Sequence, residues 1–146
     1  MPAIRRLFEA YAASIGVDLC FQGFADEVAS LPGAYQPPRG ALLLAVHDSE
    51  AVGCVALRPL PDEGDHAVGE VKRLYVVPHA RGGHVGHALM DVLLERARTL
   101  GYQTLKLDTL ATMARARALY VALGFRECAP YYRNPLPGVT YMSLTL

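Results

Sequence analysis

Hydrophobic and polar positions in the N-terminal part of the chain follow the helical period. Apolar residues recur every three or four positions from Ile4 to Ile15, and Gly16 stands where such a helix would end. The segment 24–32 repeats the pattern over a shorter length and is stopped by Pro32. Two helices are therefore predicted ahead of the first strand.

From residue 41 onward, strand-like apolar runs and helical patterns follow one another. Runs of apolar residues bounded by turn residues predict strands, and helical patterns that end at Gly101 and Gly124 predict helices. The predicted elements are strands at 41–47, 51–60 and 70–77, a helix at 85–100, a strand at 104–110, a helix at 113–123 and one or two closing strands that include 141–146. This order predicts an α/β fold in a single domain over residues 1–146.

The stretch ARGGHVGHALM places three glycines within five positions at the predicted start of a helix. Glycine loses more backbone freedom on folding than any other residue, so bare backbone must be needed there. A helix N-terminus attracts anions through its unpaired N–H groups and its dipole. Gly82, Gly83 and Gly86 would let a phosphate approach, and Arg81 would add a charged donor. A tight turn with close helix packing is the alternative interpretation.

Two common phosphate loops do not fit this stretch. A nucleoside-triphosphate loop needs lysine and a hydroxyl residue after its last glycine, whereas His87 and Ala88 follow Gly86. The dinucleotide fingerprint fails on its glycine spacing, although Asp108 stands about where a ribose-binding acid would be expected. We interpret Asp108 instead as a strand residue near a cofactor or substrate cleft.

A third pattern fits better. The run VKRLYVVPHARGGHVGHALMDVLLERARTLGY, followed by ALYVALGF, resembles the GNAT superfamily of acyl-CoA-dependent N-acetyltransferases over roughly residues 41–146. Segments such as FQGFADEVASLPGAY and LDTL are similar to a bacterial GNAT subgroup of small acetyltransferases. The resemblance implies a mixed, mostly antiparallel central sheet with a splayed strand pair and flanking helices. It also implies that the family's first strand is missing, so that 41–47 forms an edge covered by a loop, by the first helix or by a partner subunit in a homodimer.

Acetyl-CoA is the co-substrate that the resemblance implies. The phosphate-loop signature falls on residues 81–86, with His84 in place of the family's first glycine, and Leu74 and Val76 would offer main-chain groups to the pantetheine arm. The implied cofactor-binding residues are Leu74, Val76, Arg81, Gly82, Gly83, His84, Val85, Gly86, His87 and Met113. Many family members carry asparagine at the position of Met113, so this contact is either absent or replaced, with Thr109 and Thr112 as the candidates.

Glu70 and Tyr120 are the predicted catalytic residues. An amine is mostly protonated at neutral pH, so acetyl transfer needs a base, and Glu70 matches the family's strand glutamate. Tyr120 occupies the family's tyrosine position and would protonate the leaving thiolate. The alternatives are an exposed carboxylate that pairs with Lys72 and an ordinary core aromatic residue, respectively.

The acceptor pocket is predicted from the two segments that flank it in the family. Its candidate residues are Phe21, Gln22, Phe24, Tyr131, Tyr132 and Asn134. Aromatic walls with few polar tips favour a small amine over a polycation, because no acidic stripe accompanies them. A plain surface turn in YYRNPLPG is the alternative.

The charged residues, cysteines and histidines limit which partners, cellular compartment and metals the sequence predicts. The chain has 14 basic residues (Lys and Arg) and 14 acidic residues (Asp and Glu), so its formal net charge is zero. No net positive charge therefore attracts it to nucleic acid or to a membrane surface. Three widely spaced cysteines, Cys20, Cys54 and Cys128, indicate reduced thiols and a cytoplasmic protein. The histidines near the glycine-rich loop lack acidic or cysteine ligands in metal-binding spacing, so no metal is predicted.

The sequence thus predicts an enzyme that moves acetyl from acetyl-CoA to a primary amine of a small molecule or peptide. The attack would be direct, in a ternary complex and without a cysteine intermediate. A catalytically weak acyl-CoA-binding or regulatory module is the main alternative, and a nucleotide-binding fragment is a weaker one.

Overall fold

The computed structural model describes residues 1–16, 19, 23–60 and 67–146. Its elements are helices α1 (Pro2–Ile15) and α2 (Phe24–Ala29), strands β1 (Ala41–His47), β2 (Glu50–Pro59) and β3 (Val68–Val76), helix α3 (Val85–Thr99), strand β4 (Thr104–Leu110), helix α4 (Ala114–Ala122), and strands β5 (Arg126–Glu127) and β6 (Val139–Thr145). The predicted order of helices and strands is confirmed.

Element boundaries differ from the predicted ones by a few residues. Helix α1 ends as predicted, where Gly16 adopts the left-handed conformation with φ 65°. Helix α2 ends before Pro32, because the N–H and the hydroxyl of Ser30 both donate to the carbonyl of Asp26 and close the last turn. Strand β3 begins at Val68 rather than at residue 70, because its first residues already pair with β4.

The six strands form one sheet in the order β1-β2-β3-β4-β6-β5. Neighbouring strands are antiparallel except β3 and β4, which run parallel. Their pairing covers only Val68 to Glu70 on β3 and Thr104 to Lys106 on β4. Beyond those pairs the two strands diverge, which confirms the splayed pair and opens a gap inside the sheet.

Each face of the sheet carries its own apolar cluster. One cluster joins α3 and α4 to the sheet and includes Met90, Leu93 and Leu105. The other lies under α1 and includes Phe8 and Tyr35, whose rings meet edge to face. The sheet is therefore covered on both faces, and the gap between β3 and β4 connects them.

Strand β1 is an edge of the sheet among the described strands. Helix α1 packs on β2 and β3, and α3 packs on the face of β1. Leu44 and Val46 are exposed there, and a shift of register between Ala45 and Val46 interrupts the edge. A partner subunit on this edge stays a prediction.

Within the described residues, none of the helices combines the length and the apolar character that crossing a bilayer would need.

Candidate active site

A bulge in β3 shapes the gap. The register between β2 and β3 shifts after Lys72, so that Arg73 and Leu74 lie opposite the single residue Val55. Arg73 adopts φ 60°, a left-handed conformation that is unfavourable for residues other than glycine. Its buried guanidinium donates two hydrogen bonds of 2.9 Å to the carboxylate of Glu27 on α2. This pair ties the bulge to α2 and turns the backbone that follows it.

A cavity of about 520 Å³ opens beside the bulge. Its walls are the last turns of α1, the end of β3, the loop between β3 and α3, and the start of α4. Eight predicted cofactor residues line it, namely Leu74, Val76, Arg81, Gly82, His84, Val85, Gly86 and Met113. The glycine-rich stretch and the β3 backbone thus face one cavity.

The N-terminus of α3 fits the anion-binding role. His84 is the N-cap residue with φ 62°, and its side chain makes no capping hydrogen bond, so the first N–H groups of α3 are left to a ligand. Gly82 has φ 87°, which a residue with a side chain adopts only with strain. The Arg81 Nε donates to the carbonyl oxygen of Val76 at 2.8 Å, which holds the guanidinium beside the cavity. This donor set suits a pyrophosphate.

Two predicted cofactor residues lie outside the cavity wall. Gly83 lies on the opposite side of the loop, against a second groove that β1 and α3 form. His87 Nδ1 lies 2.9 Å from Asp91 Oδ2 on the exposed side of α3. Neither residue is needed to enclose the cavity.

The start of α4 contributes the remaining wall. Thr112 lines the cavity together with Met113, whose position carries asparagine in many family members. Thr109 is buried on β4, and its hydroxyl oxygen has no hydrogen-bond partner among the described residues. A buried hydroxyl without a partner is costly, so Thr109 offers an unused polar atom close to the gap.

Tyr120 lies in the core on α4. Its side chain is buried, and its ring packs at 5.6 Å from that of Phe125. Burial raises the pKa of Tyr120, and the charges of Tyr11 and Asp108 raise it further. The hydroxyl therefore stays protonated, which is the state a general acid requires.

Glu70 is buried, with 1% of its surface exposed, rather than exposed on the strand. Its Oε1 accepts hydrogen bonds of 2.8 Å from two nitrogens of Arg58, and its Oε2 accepts one of 2.6 Å from the hydroxyl of Tyr131. Lys72 Nζ lies 3.9 Å from Oε2, and burial lowers the pKa of Lys72. Glu70 thus lies under the tyrosines of the YYRNP segment.

The predicted acceptor residues Tyr131, Tyr132 and Asn134 form one polar cluster around a second carboxylate. The hydroxyl of Tyr132 and the side-chain amide of Asn134 both donate to Oδ2 of Asp108 on β4, the amide at 2.8 Å. The hydroxyl of Tyr141 on β6 donates to the carbonyl of Tyr132 at 2.8 Å, and the three tyrosine rings pack within 5.8 Å of one another. The segment therefore has a defined, bonded conformation rather than that of a free surface turn.

The other predicted acceptor residues differ in their placement. The Phe24 ring packs over the guanidinium of Arg73 at 5.1 Å and supports the bulge. Phe21 and Gln22 lie outside the described residues.

Several functional candidates escaped the sequence analysis. No acidic stripe was predicted for the pocket of the acceptor substrate. In the structure, Glu70 and Asp108 accept hydrogen bonds from two of its predicted tyrosines. Asp108 was placed near a cleft, but its partners were not foreseen. Tyr11 lines the cavity from α1 and carried no signal beyond the helical period. The Arg73–Glu27 pair was missed because it joins residues 46 positions apart.

Comparisons with known proteins agree with this geometry. A family model for the acetyltransferase (GNAT) family matches residues 4–125. An uncharacterized N-acetyltransferase of Schizosaccharomyces pombe is 40% identical over 143 residues, which cover 97% of this chain and 86% of the relative. An acetyltransferase structure from Streptococcus agalactiae superposes with a TM-score of 0.80 at 19% identity, covering 100% of this chain and 93% of that one.

A GNAT family acetyltransferase from Elizabethkingia anophelis, solved with acetyl-CoA bound, has a TM-score of 0.61 at 22% identity and covers 73% of this chain and 76% of its own. The family model spans most of this chain, and the relative from Schizosaccharomyces pombe covers nearly all of it. The chain is therefore a member of the GNAT family of acetyltransferases, an enzyme of the acyl-CoA N-acyltransferase type.

Proposed function

We propose that this enzyme transfers an acetyl group from acetyl-CoA to a primary amine of a small molecule or peptide, by direct attack in a ternary complex. The observation that carries the proposal is the junction of two features at the splayed strands. The cavity with the glycine-rich helix N-terminus lies beside the β3 bulge, and Asp108 on the diverging strand β4 is held by Tyr132 and Asn134.

Acetyl-CoA is the proposed acyl donor. The uncapped N-terminus of α3 and Arg81 would hold its pyrophosphate, and main-chain groups of Leu74 and Val76 would meet the pantetheine arm. Thr109 and Thr112 are the hydroxyl groups available in place of the family's asparagine. The acetyl-CoA complex of the relative from Elizabethkingia anophelis supports this choice of donor.

Glu70 is the proposed base, acting through Tyr131. The 2.6 Å hydrogen bond lets the Tyr131 hydroxyl take a proton from the amine while it passes its own proton to Glu70. Tyr120 is the proposed acid for the leaving thiolate, because its protonated hydroxyl lies on the helix that borders the cavity. No cysteine takes part in this scheme.

The first experiment is calorimetric titration of the wild-type chain with acetyl-CoA, with NAD as the control ligand. We expect saturable one-to-one binding of acetyl-CoA and none of NAD. Preference for NAD would contradict the proposal and favour a nucleotide-binding fragment.

Release of free CoA is then measured with a panel of amines for wild type, Glu70→Gln, Tyr120→Phe and the control Glu127→Gln on the exposed strand β5. The two active-site variants should lose about 100-fold or more in kcat while keeping acetyl-CoA affinity, and the control should match wild type. Acetyl-CoA binding without turnover of any amine would favour the acyl-CoA-binding module instead.

A further inference from the structure

Two side chains hold the Asp108 carboxylate through one of its oxygens. Two neutral donors, the hydroxyl of Tyr132 and the amide of Asn134, converge on the same oxygen, Oδ2. The Asp108 residue is half-buried. The two donors fix the orientation of the carboxylate through Oδ2.

The position of Asp108 in the sheet places it at the gap. It follows Lys106, the last β4 residue that pairs with β3, by two positions on the same face of the strand. Its charge acts on Tyr11, which lines the cavity, and on Tyr120, the proposed acid. Asp108 therefore lies two residues beyond the point where the pairing of β3 and β4 ends.

One of three packed tyrosine rings, that of Tyr132, carries the hydroxyl that binds this carboxylate, and Lys106 Nζ lies 5.8 Å from the centroid of the Tyr131 ring. Tyr131, Tyr132 and Tyr141 pack against one another with centroids between 5.3 and 5.8 Å apart, and Tyr132 contacts Asp108 directly. Aromatic faces attract cations, and a carboxylate accepts hydrogen bonds from an ammonium group. A fixed anion beside aromatic rings is the chemistry that recognises a protonated organic amine.

Glu70 differs from Asp108 in this respect. Both of its oxygens already accept hydrogen bonds, one from Arg58 and one from Tyr131, and its charge is balanced by the arginine. The two side chains that donate to Asp108, Tyr132 and Asn134, are neutral, although the charge of Asp108 also acts on Lys72. The nearby cation Lys72 lies beside Glu70, and burial lowers the pKa of Lys72, which favours its uncharged form.

We propose that Asp108 is the ammonium-binding residue of the acceptor subsite, positioned by Tyr132 and Asn134, and that it selects acceptors whose amine is protonated in solution. The inference rests on the proposed function, because it assigns the acceptor side of the same reaction. Asp108 holds the ammonium group at the gap, and the proton leaves through Tyr131 to Glu70. Neutral amines and alcohols of the same shape bind less tightly.

The test uses binding, so that it does not depend on knowing the natural acceptor. Benzylammonium is titrated into the chain saturated with acetyl-CoA or CoA and followed by ligand-observed NMR, with benzyl alcohol as the neutral probe. The proteins are wild type, Asp108→Asn and the control Glu127→Gln. We expect wild type and control to bind the cation more tightly than the alcohol. Asp108→Asn should lose about tenfold or more in affinity for the cation and keep its affinity for the alcohol.

Two outcomes would overturn the inference: equal binding of cation and alcohol by wild type, or unchanged cation binding by Asp108→Asn. Calorimetry with acetyl-CoA shows that each variant is folded, and Asp108→Ser serves if Asp108→Asn does not fold. Failure of wild type to bind acetyl-CoA would instead count against the proposed function, whereas failure of a variant alone would mean that this variant is misfolded. The same variant should raise KM for a protonated acceptor more than it lowers kcat, which a purely structural role would not produce.

Discussion

At the scale of single residues, the buried thiol of Cys54 shows how the surroundings decide reactivity. Its side chain is fully buried and donates to the carbonyl of Arg73 at 3.4 Å. Burial raises the pKa of Cys54 to about 12. Because the thiolate is the nucleophile, this cysteine is poorly suited to carry an acetyl group at neutral pH, in agreement with direct transfer.

Alkylation tests this assignment. Iodoacetamide at neutral pH should label Cys128, which is half-buried, much faster than Cys54 in the folded chain, and both equally in denaturant. Peptide mass spectrometry gives the two rates. Cys54→Ala should keep its turnover, although removing a buried sulfur lowers the free energy of unfolding by about 1 kcal/mol. Fast labelling of Cys54 accompanied by loss of turnover would contradict direct transfer.

Residue identities could be predicted where a local pattern carries them. Glu70, Tyr120 and the loop residues 81–86 are predicted from local motifs that resemble those of the GNAT family. The partners of Asp108 could not be, because they come from a segment 24 to 26 residues further on. The β4–β6 pairing brings that segment back across the sheet, and a single sequence does not specify this register.

At the scale of elements, the bulge in β3 is held by its ion pair with α2. The left-handed conformation of Arg73 costs about 1 kcal/mol or more, and it persists because the surrounding contacts fix it. The side chains of Arg73 and Glu27 are 2% and 12% exposed, so the pair is nearly dry. Tyr11 and Phe24 pack over the guanidinium at 5.6 and 5.1 Å. Side chains of α1 and α2 therefore both contact the arginine at the bulge.

Breaking this pair should cost both stability and cofactor binding. Glu27→Gln leaves the Arg73 charge buried without its counter-ion, so the free energy of unfolding should fall by about 3 kcal/mol. Urea denaturation measures this change, and calorimetry should show weaker acetyl-CoA binding because the bulge shapes the cavity wall. Glu9→Gln on the exposed face of α1 is the matched control and should stay within about 0.5 kcal/mol of wild type. A loss no larger than the control's would mean that the pair does not hold the bulge.

The helices and long strands were predictable because their apolar periods are strong, as in α1 and α3. The bulge was not, because it exists only relative to β2 and depends on which residues pair. The two-residue strand β5 is too short to show a period, and its pairing with β6 defines it. Features that depend on which strands pair, and in which register, could therefore not be predicted from the sequence alone.

At the scale of the whole molecule, each face of the sheet carries its own buried cluster. Both faces contain buried tyrosines, Tyr102 and Tyr120 under α3 and α4 and Tyr35 and Tyr75 under α1, and the sheet also buries the charged residues Glu70, Lys72 and Arg73. The proposed donor and acceptor sites would meet at the gap between β3 and β4. The buried ionisable groups make the stability of the fold depend on pH.

Alkaline conditions should therefore destabilise the whole molecule. Burial raises the pKa of five tyrosines, helped in each case by nearby carboxylate or tyrosine charges, namely Tyr11, Tyr35, Tyr120, Tyr131 and Tyr132. An unfolded tyrosine ionises near pH 10, so above that pH the unfolded chain loses protons that the folded chain keeps. The free energy of unfolding should fall above about pH 10, by at most about 1.4 kcal/mol per pH unit for each tyrosine. Cys54 adds to the fall, because its raised pKa has the same sign.

Lys72 acts in the opposite direction, because its lowered pKa makes stability rise with pH until the unfolded lysine loses its proton near pH 10.4. Urea denaturation at a series of pH values from neutral upward measures the free energy of unfolding. This free energy should fall more steeply above about pH 10.4, where Lys72 no longer offsets the tyrosines. Tyr35→Phe removes one of the five tyrosines without touching the proposed catalytic groups. Above about pH 10, the free energy of unfolding of this variant should therefore fall less steeply with pH than that of wild type, by at most the contribution of one proton. A slope identical to that of wild type would mean that Tyr35 ionises as readily folded as unfolded, and that burial at this position does not control its proton.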